Sequence, residues 1–119
     1  MRDDLDLKER TLNFARQIIK IFTAPPKTAD AHIIGKQLLR SGTSIGANYR
    51  EAYRARSKSE FIAKMGDCLK ELDETDYWLE LIKKEKYLST EKLEIIHDET
   101  NQLIAIFVTI IKKTKENSY

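Results

Sequence analysis

The 119-residue chain predicts an all-α fold: an antiparallel up-down-up-down four-helix bundle, one domain spanning residues 1–119. Three observations lead there. Apolar residues recur at spacings of three and four along four long stretches, the period of a helix that buries one stripe. Helix breakers are scarce, with two prolines, adjacent at Pro25 and Pro26, and four glycines. The gaps between the stretches are short, so successive helices become antiparallel neighbours.

Helix 1 is expected over about residues 4–22, with Leu5, Leu12, Ile19 and Phe22 as one stripe and Leu7, Phe14, Ile18 and Ile21 widening it. TAPPKT ends it, because proline has no amide hydrogen for a helix interior. Helix 2, about residues 29–53, is expected to start from Thr28 as N-cap. Helix 3, about residues 58–86, opens on Ser57-Lys58-Ser59-Glu60, a capping-box pattern in which serine and glutamate each satisfy a backbone amide. Its seam is Phe61, Met65, Cys68, Leu72, Thr75, Leu79 and Ile82. Gly66 lies inside this helix, where the missing side chain would let a neighbour approach.

Helix 4, about residues 90–116, starts after Ser89, with Leu88 and Leu93 spaced as a hydrophobic staple. Its seam is Leu93, Ile96, Thr100, Leu103, Phe107 and Ile110; a second apolar face holds Ile104, Val108 and Ile111. One bundle core uses one face, so the second predicts a contact beyond the monomer.

Composition bounds the function. The single cysteine, Cys68, cannot form an internal disulfide and reads as a small buried hydrophobe. The longest apolar run, residues 103–111, falls far short of the roughly 20 residues of a membrane span. The first ten residues are charged and show no signal-peptide pattern, so a cytoplasmic location is expected. A formal net charge of +2 does not by itself mark a nucleic-acid binder, and the distribution of charge decides.

The stretch RSGTSIGANYREAYR, residues 40–54, has two readings: a helix that breaks near Leu39 and restarts after Gly46, or one continuous helix specialised for close contact. At about 100° per residue the second sorts the side chains cleanly. Gln37, Arg40, Ser44, Asn48 and Glu51 form a polar stripe; Ile34, Leu38, Ser41, Ile45 and Ala52 form an apolar one. Gly42 and Gly46 share a third face, while Lys36, Thr43, Arg50 and Arg54 make a basic one. Each mid-helix glycine costs about 1 kcal/mol against alanine, so close packing of a neighbour is expected to offset it.

The polar stripe reads Q-x-x-R-x-x-x-S-I-x-x-N-x-x-E, from Gln37 to Glu51. With Lys58-Ser59-Glu60-Phe61 and Cys68-Leu69-Lys70-Glu71-Leu72 downstream, it resembles the small four-helix-bundle proteins encoded in 23S rRNA intervening sequences. Tyr49 replaces that family's usual isoleucine, and Ala52-Tyr53 stands where it often has glycine. The resemblance implies a ring-like homopentamer. It also implies distant kinship with accessory proteins of diversity-generating retroelements, which work with a reverse transcriptase and nucleic acid. It implies no catalytic activity.

The residues offer no catalytic or cofactor site. Glu94-x-x-His97 has the spacing of a di-iron bundle ligand pair, but the other histidine, His32, follows Ala29 at the position a second glutamate would need. No metal and no cofactor are therefore expected. Gly42 and Gly46 lack the lysine of a phosphate loop, and Tyr77 and Trp78 read as packing residues.

Charge is lopsided. From Arg40 to Lys58 five residues are basic and one is acidic; from Glu71 to Glu80 five are acidic and none basic. Two readings stay open: the segments pair with each other within or between subunits, or Lys36, Arg50, Arg54, Arg56 and Lys58 form a phosphate-binding rim repeated around an oligomer. Counting outward from the turn near Ala55 sets Arg40 level with Glu71 and Gln37 level with Glu74, predicting an Arg40–Glu71 ion pair. The functional expectation is a non-enzymatic oligomeric adaptor for RNA, DNA or a reverse transcriptase. The alternative is a structural module whose charges serve subunit contacts.

Overall fold

The computed structural model describes residues 3–24 and 26–117, with side chains from Leu7 onward, Pro25 aside. Four helices follow one another: α1 (Asp3–Phe22), α2 (Ala29–Tyr53), α3 (Lys58–Glu85) and α4 (Thr90–Glu116). Among the described residues there is no strand, and no helix is long and apolar enough to cross a membrane. The fold is an antiparallel four-helix bundle.

Caps set the helix starts. Thr28 Oγ1 accepts from the Ala31 amide at 3.4 Å, and Ser57 Oγ accepts from the Glu60 amide at 3.0 Å. The capping box is not reciprocal, since Glu60 Oε1 takes the Arg56 amide, one residue outside the expected one. Ser89 sits at the α4 N-cap position without a side-chain capping bond. Lys86 ends α3 in the left-handed region at φ 57°, its amide bonded to the last-turn carbonyls.

The core gathers Leu7, Phe14 and Ile18 of α1, Leu38, Ile45 and Tyr49 of α2, Met65, Cys68, Leu72, Leu79 and Ile82 of α3, and Leu93, Ile96, Leu103 and Phe107 of α4. The α1 stripe differs from the expected one. Leu12 and Ile19 are 45% and 48% exposed, and the widening residues Leu7, Phe14, Ile18 and Ile21 form the buried face. The cause is the orientation of α1 on α2. It meets α2 through Thr11, Ile18 and Phe22, which turns positions about 100° further round, Leu12 and Ile19, towards water. The side chain of Leu5 lies outside the described residues.

Residues 40–53 lie within unbroken helix with Arg54 as its C-cap, which excludes the looped reading. Gly42 and Gly46 are buried against α1. A Cβ on Gly42 would stand 2.8 Å from Ile18 Cγ1, and one on Gly46 would stand 3.1 Å from Thr11 Oγ1. Gly35, near the start of α2, meets Phe22 in the same way at 3.3 Å. Gly66 differs from expectation, because among the described residues no neighbour outside its own stretch of helix comes within 4 Å of where its Cβ would be.

The α1–α4 seam is the loosest of the four. It is closed mid-length by Arg10, whose guanidinium grips Glu99 in bidentate fashion (Nε–Oε2 2.7 Å, Nη2–Oε1 3.0 Å) and also donates to Gln102 Oε1 at 2.8 Å. To one side lies a groove of about 420 Å³ bordered by Leu7, Ala105, Ile106 and Ile110. To the other lies a second, bordered by Ile21, Leu88, Ile95 and Ile96.

Candidate functional site

The motif stripe of α2 faces α3. Arg40 Nη2 lies 2.6 Å from Glu74 Oε1 and 3.4 Å from Gln37 Oε1, while its Nη1 is 3.6 Å from Glu71 Oε1. The guanidinium thus reaches both carboxylates, and the shorter contact goes to Glu74, one turn beyond the predicted Glu71. Its side chain is half exposed, so the pair lies at the surface of the seam. Further along, Glu51 pairs with Lys64 at 2.7 Å. Ser44 lies between the two rungs and donates to its own helix, at the Arg40 carbonyl (2.6 Å). Asn48, half-buried one turn on, makes no hydrogen bond to α3 among the described residues.

Beneath these rungs the seam is small and polar. Ser41 Oγ and Thr75 Oγ1 form a buried hydroxyl pair at 2.9 Å, and the Cys68 thiol donates to the Ile45 carbonyl at 3.7 Å. Burial, reinforced by the nearby Asp67 charge, pushes the Cys68 thiol up to about 12. Glu71 is a carboxylate under stress. Its Oε1 is buried without a hydrogen-bond partner. Desolvation first and the Glu74 charge second raise its pKa, outweighing Arg40. That is the expected outcome when the nearer cation, Arg40, gives its short bond to the neighbouring acid and Lys70 adds only a weaker pull.

The di-iron spacing is used otherwise. Glu94 pairs with Lys83 at 3.3 Å and His97 Nε2 meets Asp76 Oδ1 at 2.5 Å, both stitching α3 to α4. Among the described residues no three His, Cys, Asp or Glu side chains converge as metal ligands.

The basic residues behave differently from the charges in the seams. Lys36, Arg50, Arg54, Arg56 and Lys58 are all exposed, and none makes an ion pair among the described residues. Four of them cluster where α2 passes into α3. Lys36 does not join them, since fourteen residues of helix separate it from Arg50, about 21 Å at 1.5 Å per residue. The antiparallel register fixed by Asp76–His97 and Lys83–Glu94 brings the exposed Lys112 and Lys113 of α4 to the same end of the bundle. Of the acidic run, Arg40 engages Glu71 and Glu74, and His97 engages Asp76. Asp73 and Glu80 remain exposed.

Two features of this end were not legible as site residues in the sequence. Tyr53, the last residue of α2, is 44% exposed between Arg50 and Arg54. Lys8 of α1 places its Nζ 4.0 Å from the centroid of that ring. The signal available was the aromatic interleaved with arginines in NYREAYR; the Lys8 contact depends on the α1–α2 register. At the far end, Tyr87 donates to Asp30 Oδ2 at 2.5 Å, holding that carboxyl at about 2 and the phenol at about 12.

Fold and surface together define a class: a small antiparallel four-helix bundle with a polar α2–α3 seam and one basic end. The chain belongs to the 23S rRNA-intervening sequence protein family, which matches residues 3–109. It is similar to a crystal structure from Bacteroides thetaiotaomicron described as a protein of unknown function from the S23 ribosomal protein family. The two share 39% identity with a TM-score of 0.86 over 94% of this chain and 99% of that one. No curated protein matches. The family's molecular function is not established, and neither similarity names a catalytic activity.

Proposed function

We propose that the protein is a non-enzymatic, homo-oligomeric adaptor that binds nucleic acid through the basic end formed by Arg50, Arg54, Arg56 and Lys58. One observation carries this reading. The chain pairs Arg10, Arg40, Lys64 and Lys83 with carboxylates of its own, yet these four stay exposed at one corner with no ion pair among the described residues. Arginine's planar fork donates two parallel hydrogen bonds to a phosphate, and several such contacts make affinity depend on salt. The corner presents no base-reading motif, so recognition follows backbone charge and shape.

Oligomerisation belongs to the same reading. Ile95 is 69% exposed, Val108 is exposed beside half-buried Ile104 and Ile111, and apolar grooves flank Arg10. A closed ring repeats the basic corner and raises avidity without new contacts. The number five rests on family resemblance, and so does a reverse transcriptase as the enzyme served.

The competing reading, a structural module, draws support from exposed Asp73 and Glu80, which a neighbouring subunit's arginines could reach. The triple variant Arg50→Gln, Arg54→Gln, Arg56→Gln separates the two. The adaptor reading expects unchanged oligomer size in light scattering and RNA or DNA binding reduced at least about tenfold. Loss of the oligomer with no nucleic-acid binding by the wild type selects the structural module.

A further inference from the structure

We infer that Tyr53 is a stacking platform for an unpaired base, so that the ligand class of the basic end is single-stranded nucleic acid. This rests on the proposed nucleic-acid reading and narrows it. Two exposed tyrosines make the comparison. Tyr77, 58% exposed, packs edge-on against Trp78 and stands among Asp73, Glu74, Asp76 and Glu80. A phosphate chain is repelled there. Tyr53 has the opposite surroundings, with Arg50 one turn before it, Arg54 next to it and Arg56 in the turn that follows. Its ring is tilted against the buried Tyr49 at 6.4 Å between centroids, which fixes its position from beneath.

One π-face of the ring is covered by the Lys8 ammonium, 4.0 Å from the centroid, and Tyr53 stays 44% exposed, so what occupies that face is the tip of a flexible lysine. A flat base can take that place. The lysine's flexible four-carbon stem then swings its charge to the phosphate of the same nucleotide, while the arginines hold the flanking phosphates. Aromatic rings amid cations at phosphate spacing bind single strands because every base has a π-face, whereas a duplex keeps its bases stacked and out of reach. Lys8 and Tyr53 come from different helices, and the glycine-mediated approach of α1 to α2 is what brings them together.

The test uses the 119-residue protein and fluorescein-labelled 12-mers: an oligo-dT, an abasic strand with the same phosphates, an oligo-U and a DNA duplex, whose doubled charge would favour it if charge alone decided. The expected result is that oligo-dT and oligo-U bind at least about fivefold more tightly than the abasic strand and the duplex. Tyr53→Leu keeps an apolar side chain over Tyr49 and is expected to erase that preference; Tyr53→Phe is expected to retain it. If the abasic strand or the duplex matches oligo-dT, or Tyr53→Leu leaves the preference intact, stacking is overturned while charge-based binding stands. If no strand binds, the nucleic-acid reading itself falls and the inference with it.

Discussion

Gly42 of α2 lies so close to Ile18 of α1 that a Cβ on the glycine would stand 2.8 Å from Ile18 Cγ1, 3.0 Å from Cγ2 and 3.2 Å from Cδ1. Ile18 is fully buried and branched at Cβ, so it has no rotamer to retreat into. Gly42→Ala is therefore expected to destabilise by roughly 1–2 kcal/mol, the overpacking cost exceeding the gain in helix propensity. Gly66→Ala, which meets open space, is expected to stabilise by about 1 kcal/mol. Urea denaturation followed by circular dichroism reads both, and equal signs for the two would contradict the packing assigned to α1 and α2.

Glu71 gives a pH signature. Its folded-state pKa is raised, so its ionisation costs the folded state more than the unfolded one. No such cost exists below the ordinary carboxylate value, and it grows as pH rises through the raised folded value. Glu71→Gln imitates the protonated acid. Relative to wild type the variant is expected to gain stability between pH 4 and pH 7, whereas Glu74→Gln, which loses the 2.6 Å Arg40 contact at the surface, is expected to lose under about 1 kcal/mol at pH 7. Urea midpoints at the two pH values check this, and a Glu71→Gln variant losing ground to wild type as pH rises would contradict it.

Cys68 is expected to be inert. The thiolate is the reacting form, and a thiol pushed up to about 12 and fully buried supplies almost none near neutral pH. Alkylation by iodoacetamide at pH 8 is expected to run at least about 100-fold slower in the native protein than in concentrated urea. Comparable rates would show that the α2–α3 seam opens freely.

The four helices could be read from the sequence because each carries its own period and its own stop: Pro25–Pro26 after α1, Ser57 before α3 and Ser89 before α4. The facing of α2 and α3 was legible because a short turn joins them, so counting outward sets Arg40 near Glu71. It did not foretell that Glu74 takes the shorter bond, which depends on side-chain reach. Arg10–Glu99 was beyond such counting, since the two residues lie 89 positions apart and meet only when the bundle closes. The α1 stripe misled for a related reason. Leu12 and Ile19 are as apolar and as well spaced as Leu7, Phe14 and Ile18, and only the glycine face of α2 selects which set turns inward. The basic cluster at the α2–α3 turn is contiguous in sequence and was visible there, but its lack of partners was not, because that depends on where the acids of α3 point.

The dependence of nucleic-acid affinity on salt tests the central claim most directly. Each neutralised phosphate of a single strand contributes about −0.7 to the slope of log K against log salt. Engagement of Arg50, Arg54, Arg56 and Lys58 by one strand therefore predicts a slope near −3, measured by fluorescence anisotropy between 50 and 200 mM salt. The glutamine triple variant should lose about two of those three. A slope near zero, or the same slope in wild type and variant, would contradict the assignment of this basic end as the nucleic-acid surface.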